Sequence, residues 1–318
     1  MSVMTTARPA LDEQGDATAS APRRPRKSRN PSARQMTWHA WLFLLVPGVL
    51  FLVFMALPIV MALVISFTDY AIVGDFEWLG IQNYLDIAVD PFFWIALRNT
   101  AYYTLLYVPA GLVVALATAL LLNRRHRAVR LFRTLFYIPV VASTVATATI
   151  WFWMLNPQNG LLNVALSWFG IDGPAWLYES QWAMIAIVMM SVWAGFGANM
   201  IIFLGGLQGV PGELYEAARL DGANAWQQFR YVTLPSLTRT TFLVSTLLII
   251  GAFQVFDQAY VLTKGGPGNS TVTMVYYIYN KGFGALEMGY ASALSFVLFL
   301  IILVFSLLNA KLTNRKGV

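Results

Sequence analysis

The stretch PGELYEAARLDGANAWQQFRYVTLP, residues 211 to 235, is a polar island in a chain that is 58% hydrophobic and only 11% charged. Its local signals spell a helical hairpin. Pro211 suits the first turn of a helix, where its missing N–H goes unused, and Glu213 and Glu216 lie near the positive end of that helix's dipole. Gly222 is the natural left-handed terminator. Asn224, with Gln227 three residues on, offers a capping box for a second helix that should end before Pro235. A plain connector needs only a few residues to reverse the chain. A preorganised hairpin carrying small residues and acids is what a docking surface requires.

Outward from the island, the chain is a series of long uncharged windows. A bilayer core of about 30 Å takes about 20 apolar residues at 1.5 Å each. On that measure spans are expected near Trp41 to Ser66, Asn99 to Leu122, Phe136 to Leu155, Trp182 to Ile202, Thr240 to Leu262 and Tyr290 to Leu308. The fold class is therefore an all-α polytopic membrane protein of six transmembrane helices. Residues 1–37 read as a disordered basic tail, 38–312 as the membrane domain with a polar loop at 206–239, and 313–318 as a short tail.

Basic residues set the orientation. With the N-terminus inside, eighteen of the 21 Lys and Arg lie in inner segments and only Arg98, Lys264 and Lys281 lie outside. The positive-inside rule then places both termini and the 206–239 loop in the cytoplasm of a cell-membrane protein. The net charge of +6 is a topology signal, not a nucleic-acid footprint; Arg23 to Arg34, mixed with Pro, Ser and Lys, reads as a disordered tail near anionic lipid.

The chemistry the chain lacks is equally informative. There are no cysteines, and the two histidines, His39 and His126, stand apart at span ends without metal-ligand spacing. No Gly-x-x-x-x-Gly-Lys-Ser/Thr loop, Gly-x-Ser-x-Gly elbow or His-Glu-x-x-His pair occurs, so nothing suggests an enzyme or a resident nucleotide site. Any ATP must be handled elsewhere.

The spacing of Glu216-Ala217-Ala218, Asp221-Gly222-Ala223, Phe229 and Leu234-Pro235 resembles the EAA loop of ATP-binding-cassette importer permeases. From about Trp38 to Leu312 the chain is similar to the maltose-type carbohydrate permeases. Phe43-Leu44-Leu45-Val46-Pro47, Leu79-Gly80-Ile81-Gln82-Asn83-Tyr84, Arg98-Asn99-Thr100, Phe132-Arg133-Thr134 and Phe256-Asp257-Gln258 through Gly265-Gly266-Pro267 carry that likeness. One departure is Gly195-Phe196-Gly197-Ala198, where a proline is usual, which leaves the shape of that span open.

The resemblance implies a type I importer permease fold, paired with a second homologous permease as a heterodimer. It further implies two ATPase subunits that hold ATP and Mg, an extracytoplasmic solute-binding protein, and a carbohydrate substrate. The loop residues above would couple to the ATPase. Span five would line the passage, with Gln254, Asp257 and Gln258 as its polar residues. Asp257, read as lying near the outer end of a continuous helix, is either a hydrogen-bond anchor or a solute contact. Two alternatives stay open here: a permease of the same class for a non-carbohydrate such as glycerol phosphate, and an ion-coupled secondary transporter. The absence of paired carboxylates within the spans disfavours the second.

Overall fold

The computed structural model describes residues 41, 43–71, 77–124 and 127–314; the expected N-terminal tail, 1–37, and residues 315–318 lie outside them. The described chain is helical, with no strand beyond two isolated antiparallel bridges, Thr68 to Trp78 and Ala71 to Glu287. The chain divides after Leu57 into two units.

From residue 43 on, the described residues of the first unit belong to helix α1, Phe43–Ile65, which carries a wide π-type turn at Leu52–Ala56. That turn precedes Pro58, which has no N–H and would crowd the carbonyl four residues back in a regular helix. None of the most apolar window of α1 is buried; Phe43 is 83% and Phe54 75% exposed. A surface so long and apolar is stable only against lipid or another apolar chain.

The second unit begins with the end of α1 and continues through α2 (Gln82–Val89), α3 (Pro91–Leu122), α4 (Arg127–Val141), α5 (Thr144–Met154), α6 (Leu161–Ser167) and α7 (Ser180–Gln208). After these come α8 (Gly212–Leu220), α9 (Ala225–Ser236), α10 (Thr238–Phe253), α11 (Asp257–Leu262), α12 (Met274–Tyr279) and α13 (Met288–Asn314). Helices α1, α3, α7 and α13 are each long and apolar enough to cross a membrane, and six spans result when the bent pairs α4–α5 and α9–α10 each count as one.

Expected and observed helices differ where tertiary contacts or prolines intervene. The third span is not a straight helix from Phe136 to Leu155: α4 and α5 meet at 99°, with Ser143 leaving the helical conformation just after Pro139. Pro139 withholds a donor from the ladder and weakens it at that point. The fifth span does not run unbroken to Leu262. α10 stops at Phe253, residues 254–256 are non-helical, and α11 restarts at Asp257. The carbonyl of Val255, freed by the break, accepts a 2.8 Å hydrogen bond from the Thr273 hydroxyl. α3 starts at Pro91 rather than Asn99, because the Asp90 carboxylate caps it on the Phe92 amide at 2.8 Å with proline at the first position. α13 runs on to Asn314, past the expected start of the tail.

The core centres on α7, which packs against α3, α4 and α10. Met184, Ile187, Met190, Met200 and Phe203 of α7 are completely or almost completely buried. α7 is uninterrupted through Gly195 to Ala198, so the missing proline leaves an unbroken helix. Gly197 is needed for close approach: a Cβ there would lie 2.1 Å from the Phe136 carbonyl oxygen of α4. At Gly206 a Cβ would lie 2.4 Å from the Thr240 hydroxyl of α10, whereas Gly205 faces open space.

Candidate functional site

The polar island folds as a preorganised hairpin. α8 carries Glu213 in its first turn and Arg219 in its last, each matched to the dipole end it occupies. Pro211 stands at the N-cap, one position before the first turn where it was expected. Gly222 adopts φ +79°, and Gly222 N–H to Arg219 O (3.0 Å) with Ala223 N–H to Ala218 O (2.9 Å) completes a Schellman termination. Asn224 and Gln227 form the reciprocal capping box, at 2.9 and 2.8 Å, that starts α9.

α9 does not end before Pro235. A π-type turn at Phe229–Thr233 widens the helix, the Leu234 N–H bonds the Phe229 carbonyl, and the chain stays helical to Ser236. Tyr215 and Thr233 hydroxyls bond at 3.0 Å, with Thr233 buried, and lock α8 onto α9.

This hairpin presents one mixed surface. Glu216, Ala217, Asp221, Gly222 and Pro235 are exposed, while Ala218, Ala223, Phe229 and Leu234 are half-buried and hold the turn together. Sequence reasoning missed three large apolar side chains that stand out among the acids: Leu220 at 90% exposure, Trp226 at 69% and Tyr231 at 73%. Their signal was legible as bulky residues inside an otherwise polar island. Exposed aromatics with a charged rim form the composition of a protein-binding hot spot.

A second site opens at the break in the fifth span. A cavity of about 410 Å³ is lined by Tyr103 and Tyr107 of α3 with Gly251, Gln254, Val255, Phe256, Asp257 and Gln258. The structure brings all three expected polar residues into this one cavity. It corrects the setting of Asp257, which lies in the first turn of α11, where the dipole favours a carboxylate, not in the last turn of a long helix. Among the described residues no hydrogen bond reaches the side chains of Gln254, Asp257 or Gln258. Tyr103 and Tyr107 stack at 5.2 Å and 14°. Sequence reasoning missed both, since their pairing across the cavity from residue 254 is a tertiary fact. The cavity offers a carboxylate, two carboxamides and aromatic faces, and among the described residues no cation lines it.

Several motifs outside the hairpin do structural work within the chain. Asn83 donates to the Ser66 and Thr68 carbonyls at 2.9 and 2.8 Å, and Asn99 donates to those of Asn269 and Val272 at 2.8 and 3.0 Å; both side chains are buried. The Thr100 hydroxyl accepts from the Met274 amide at 2.9 Å, and Tyr276 donates to the Lys264 carbonyl at 2.9 Å. Asp90 accepts hydrogen bonds from the hydroxyls of Tyr277 and Tyr290, joining the start of α3 to α12 and α13. Burial pushes the Asp90 carboxyl up, but those hydroxyls and the Phe92 and Phe93 amides outweigh it and hold it below its ordinary value. Among the described residues no cluster of metal-ligating side chains occurs.

Comparison with known proteins gives one consistent picture. The family described as "Binding-protein-dependent transport system inner membrane component" matches residues 108–318. The chain is similar to the arabinooligosaccharides transport system permease protein AraP of Halalkalibacterium halodurans, at 36% identity over 84% of this chain and 85% of that one. It is also similar to the lactose transport system permease protein LacF of Rhizobium radiobacter, at 35% identity over 89% and 96% of the two chains. A chain from the crystal structure of a bacterial alginate ABC transporter, in complex with an alginate pentasaccharide-bound periplasmic protein, shares the fold. Its TM-score is 0.79 at 22% identity, covering 90% of this chain and 97% of that one.

Proposed function

This chain belongs to the family of binding-protein-dependent transport system inner membrane components, and from that membership we propose that it forms half of an ATP-driven import pathway for a sugar. The observation that carries the proposal is the locked hairpin, whose exposed Leu220, Trp226 and Tyr231 sit among Glu213, Glu216 and Asp221. Such a surface receives force from another protein. In this reading Glu216, Ala217, Ala218, Asp221, Gly222, Ala223, Phe229, Leu234 and Pro235 build the contact with a separate ATPase, which binds ATP and Mg. A second permease completes the pathway and an extracytoplasmic binding protein delivers solute. This chain supplies no catalytic group of its own.

The cavity at the broken span is the solute contact. Hydroxyl groups suit unpaired carboxamides and a carboxylate, and sugar faces suit stacked tyrosines. A phosphate would meet Asp257 without a compensating cation, which argues against glycerol phosphate. Similarity to AraP and LacF supports the sugar reading. Because Asp257 has no partner among the described residues, Asp257→Asn should fold normally. Losing a charge-assisted hydrogen bond of about 1.5–3 kcal/mol should raise the uptake KM roughly tenfold or more. The check is initial uptake of labelled oligosaccharide in proteoliposomes of the full complex, beside binding-protein affinity, which should not move. Unchanged uptake kinetics would sink the assignment of this cavity.

Orientation rests on the basic bias. Single cysteines at Asp172 and Asn224 in this cysteine-free chain should label from opposite sides, Asn224→Cys only after the cells are opened. Labelling of Asn224→Cys in intact cells would reverse the topology.

A further inference from the structure

Where α3 ends, a separate cavity of about 540 Å³ is lined by Asn123, Arg124, Arg133 and Gln208. Among the described residues two arginines and two carboxamides line it, and no carboxylate does. Arg133 is fixed in place: its Nη2 donates to the Leu122 carbonyl at 2.7 Å, one of the carbonyls left free at a helix end. Its Nε is buried and has no hydrogen-bond partner. Among the described residues the one ion pair is Lys281 with Glu287, far along the sequence, and no described carboxylate pairs with Arg124 or Arg133. A held guanidinium with a buried, unused N–H is short of an acceptor.

The helix that carries Arg133 adds a second, independent observation. Arg130 of α4 is exposed beside Leu131, Phe132 and Leu135, which are 61%, 46% and 46% exposed. α4 departs at 99° from α5. Cations and bare apolar side chains on one short helix, set at an angle to its continuation, suit the boundary between headgroups and acyl chains. We propose that this cavity binds the phosphate of an anionic phospholipid headgroup. Arg124 and Arg133 supply charge-assisted donors, Asn123 and Gln208 bond the ester or headgroup oxygens, and Leu131, Phe132 and Leu135 flank the acyl chains. Placing this end of α3 at the cytoplasmic leaflet rests on the orientation above; binding itself does not, so the two can fail separately.

The test uses the purified full complex, delipidated in detergent and supplied with phosphatidylglycerol, phosphatidylcholine or inorganic phosphate, read by native mass spectrometry and thermal shift. Wild type should retain phosphatidylglycerol over phosphatidylcholine, and Arg124→Gln, whose side chain has no bonding partner among the described residues, should lower that preference about fivefold. Arg133→Gln should lower it as much, and Arg133→Lys, which keeps a cation and a donor for the Leu122 carbonyl, should keep part of it. Arg130→Gln, outside the cavity, should keep most of the preference. Protection by inorganic phosphate equal to that by the lipid would assign the site to a free anion and overturn the lipid proposal. Equal retention of both lipids by wild type and Arg124→Gln would overturn it too, leaving Arg133 a helix cap only.

Discussion

Leu220→Asp and Trp226→Ala in the hairpin should each abolish most solute-stimulated ATP hydrolysis by the assembled transporter while leaving the permease inserted and folded. Both side chains are exposed and support little within the chain: Leu220 is 90% exposed, and the Trp226 ring touches only Phe229 among the ring contacts of the described residues. A central aromatic or aliphatic anchor at a protein interface carries at least ~2 kcal/mol, about a thirtyfold loss of affinity. Glu216→Ala should add a smaller loss through a charge-assisted contact. Gly222→Val acts differently. At φ +79° a β-branched side chain opposes the turn by roughly 1 kcal/mol or more, so it should distort the hairpin rather than remove an anchor. Copurification of the ATPase, with uptake and hydrolysis in proteoliposomes, separates lost association from lost coupling. Normal association in both Leu220→Asp and Trp226→Ala would return the hairpin to a solvated connector.

Gly197→Ala should destabilise the membrane domain although it adds a single methyl group. The new Cβ would lie 2.1 Å from the Phe136 carbonyl oxygen, a backbone atom that cannot rotate away, so α4 and α7 must separate. Overpacking of this kind costs about 1–3 kcal/mol, and each kcal/mol lowers Tm by about 2–4 °C in a domain of 150–250 residues. Gly205→Ala is the built-in control, because a Cβ there meets nothing within 4 Å. Thermal unfolding of both variants in one detergent decides the matter. Equal midpoints would mean that the α4–α7 approach is slack.

Residues 211 to 224 were legible because their structure is local. Gly222 in the left-handed region and the Asn224–Gln227 capping box depend on backbone and side-chain bonds a few residues apart, and both form as the spacing requires. The number of spans followed from length and hydropathy for the same reason: bilayer thickness acts on each apolar segment separately. The EAA spacing, a local pattern too, points to the transport family that matches residues 108–318.

Breaks and juxtapositions were decided by the tertiary structure. Nothing near Gln254 in sequence announces that α10 stops at Phe253, because the group that satisfies the freed Val255 carbonyl is Thr273, eighteen positions away. Asp257 consequently begins a helix instead of ending one, and Tyr103 and Tyr107 meet Gln254 and Gln258 only because α3 packs on α10. The helix likewise passes through Pro235 by way of a π-type turn, whose last residue, Thr233, bonds Tyr215 of α8. Composition and spacing by themselves determined an all-helical, membrane-spanning chain with a polar hairpin, since those depend on solvent and on neighbours along the backbone. The cavity, the bent spans and the degree to which Leu220, Trp226 and Tyr231 stay exposed depend on which distant groups satisfy a buried carbonyl or fill a gap between helices, and only the packed structure settles that.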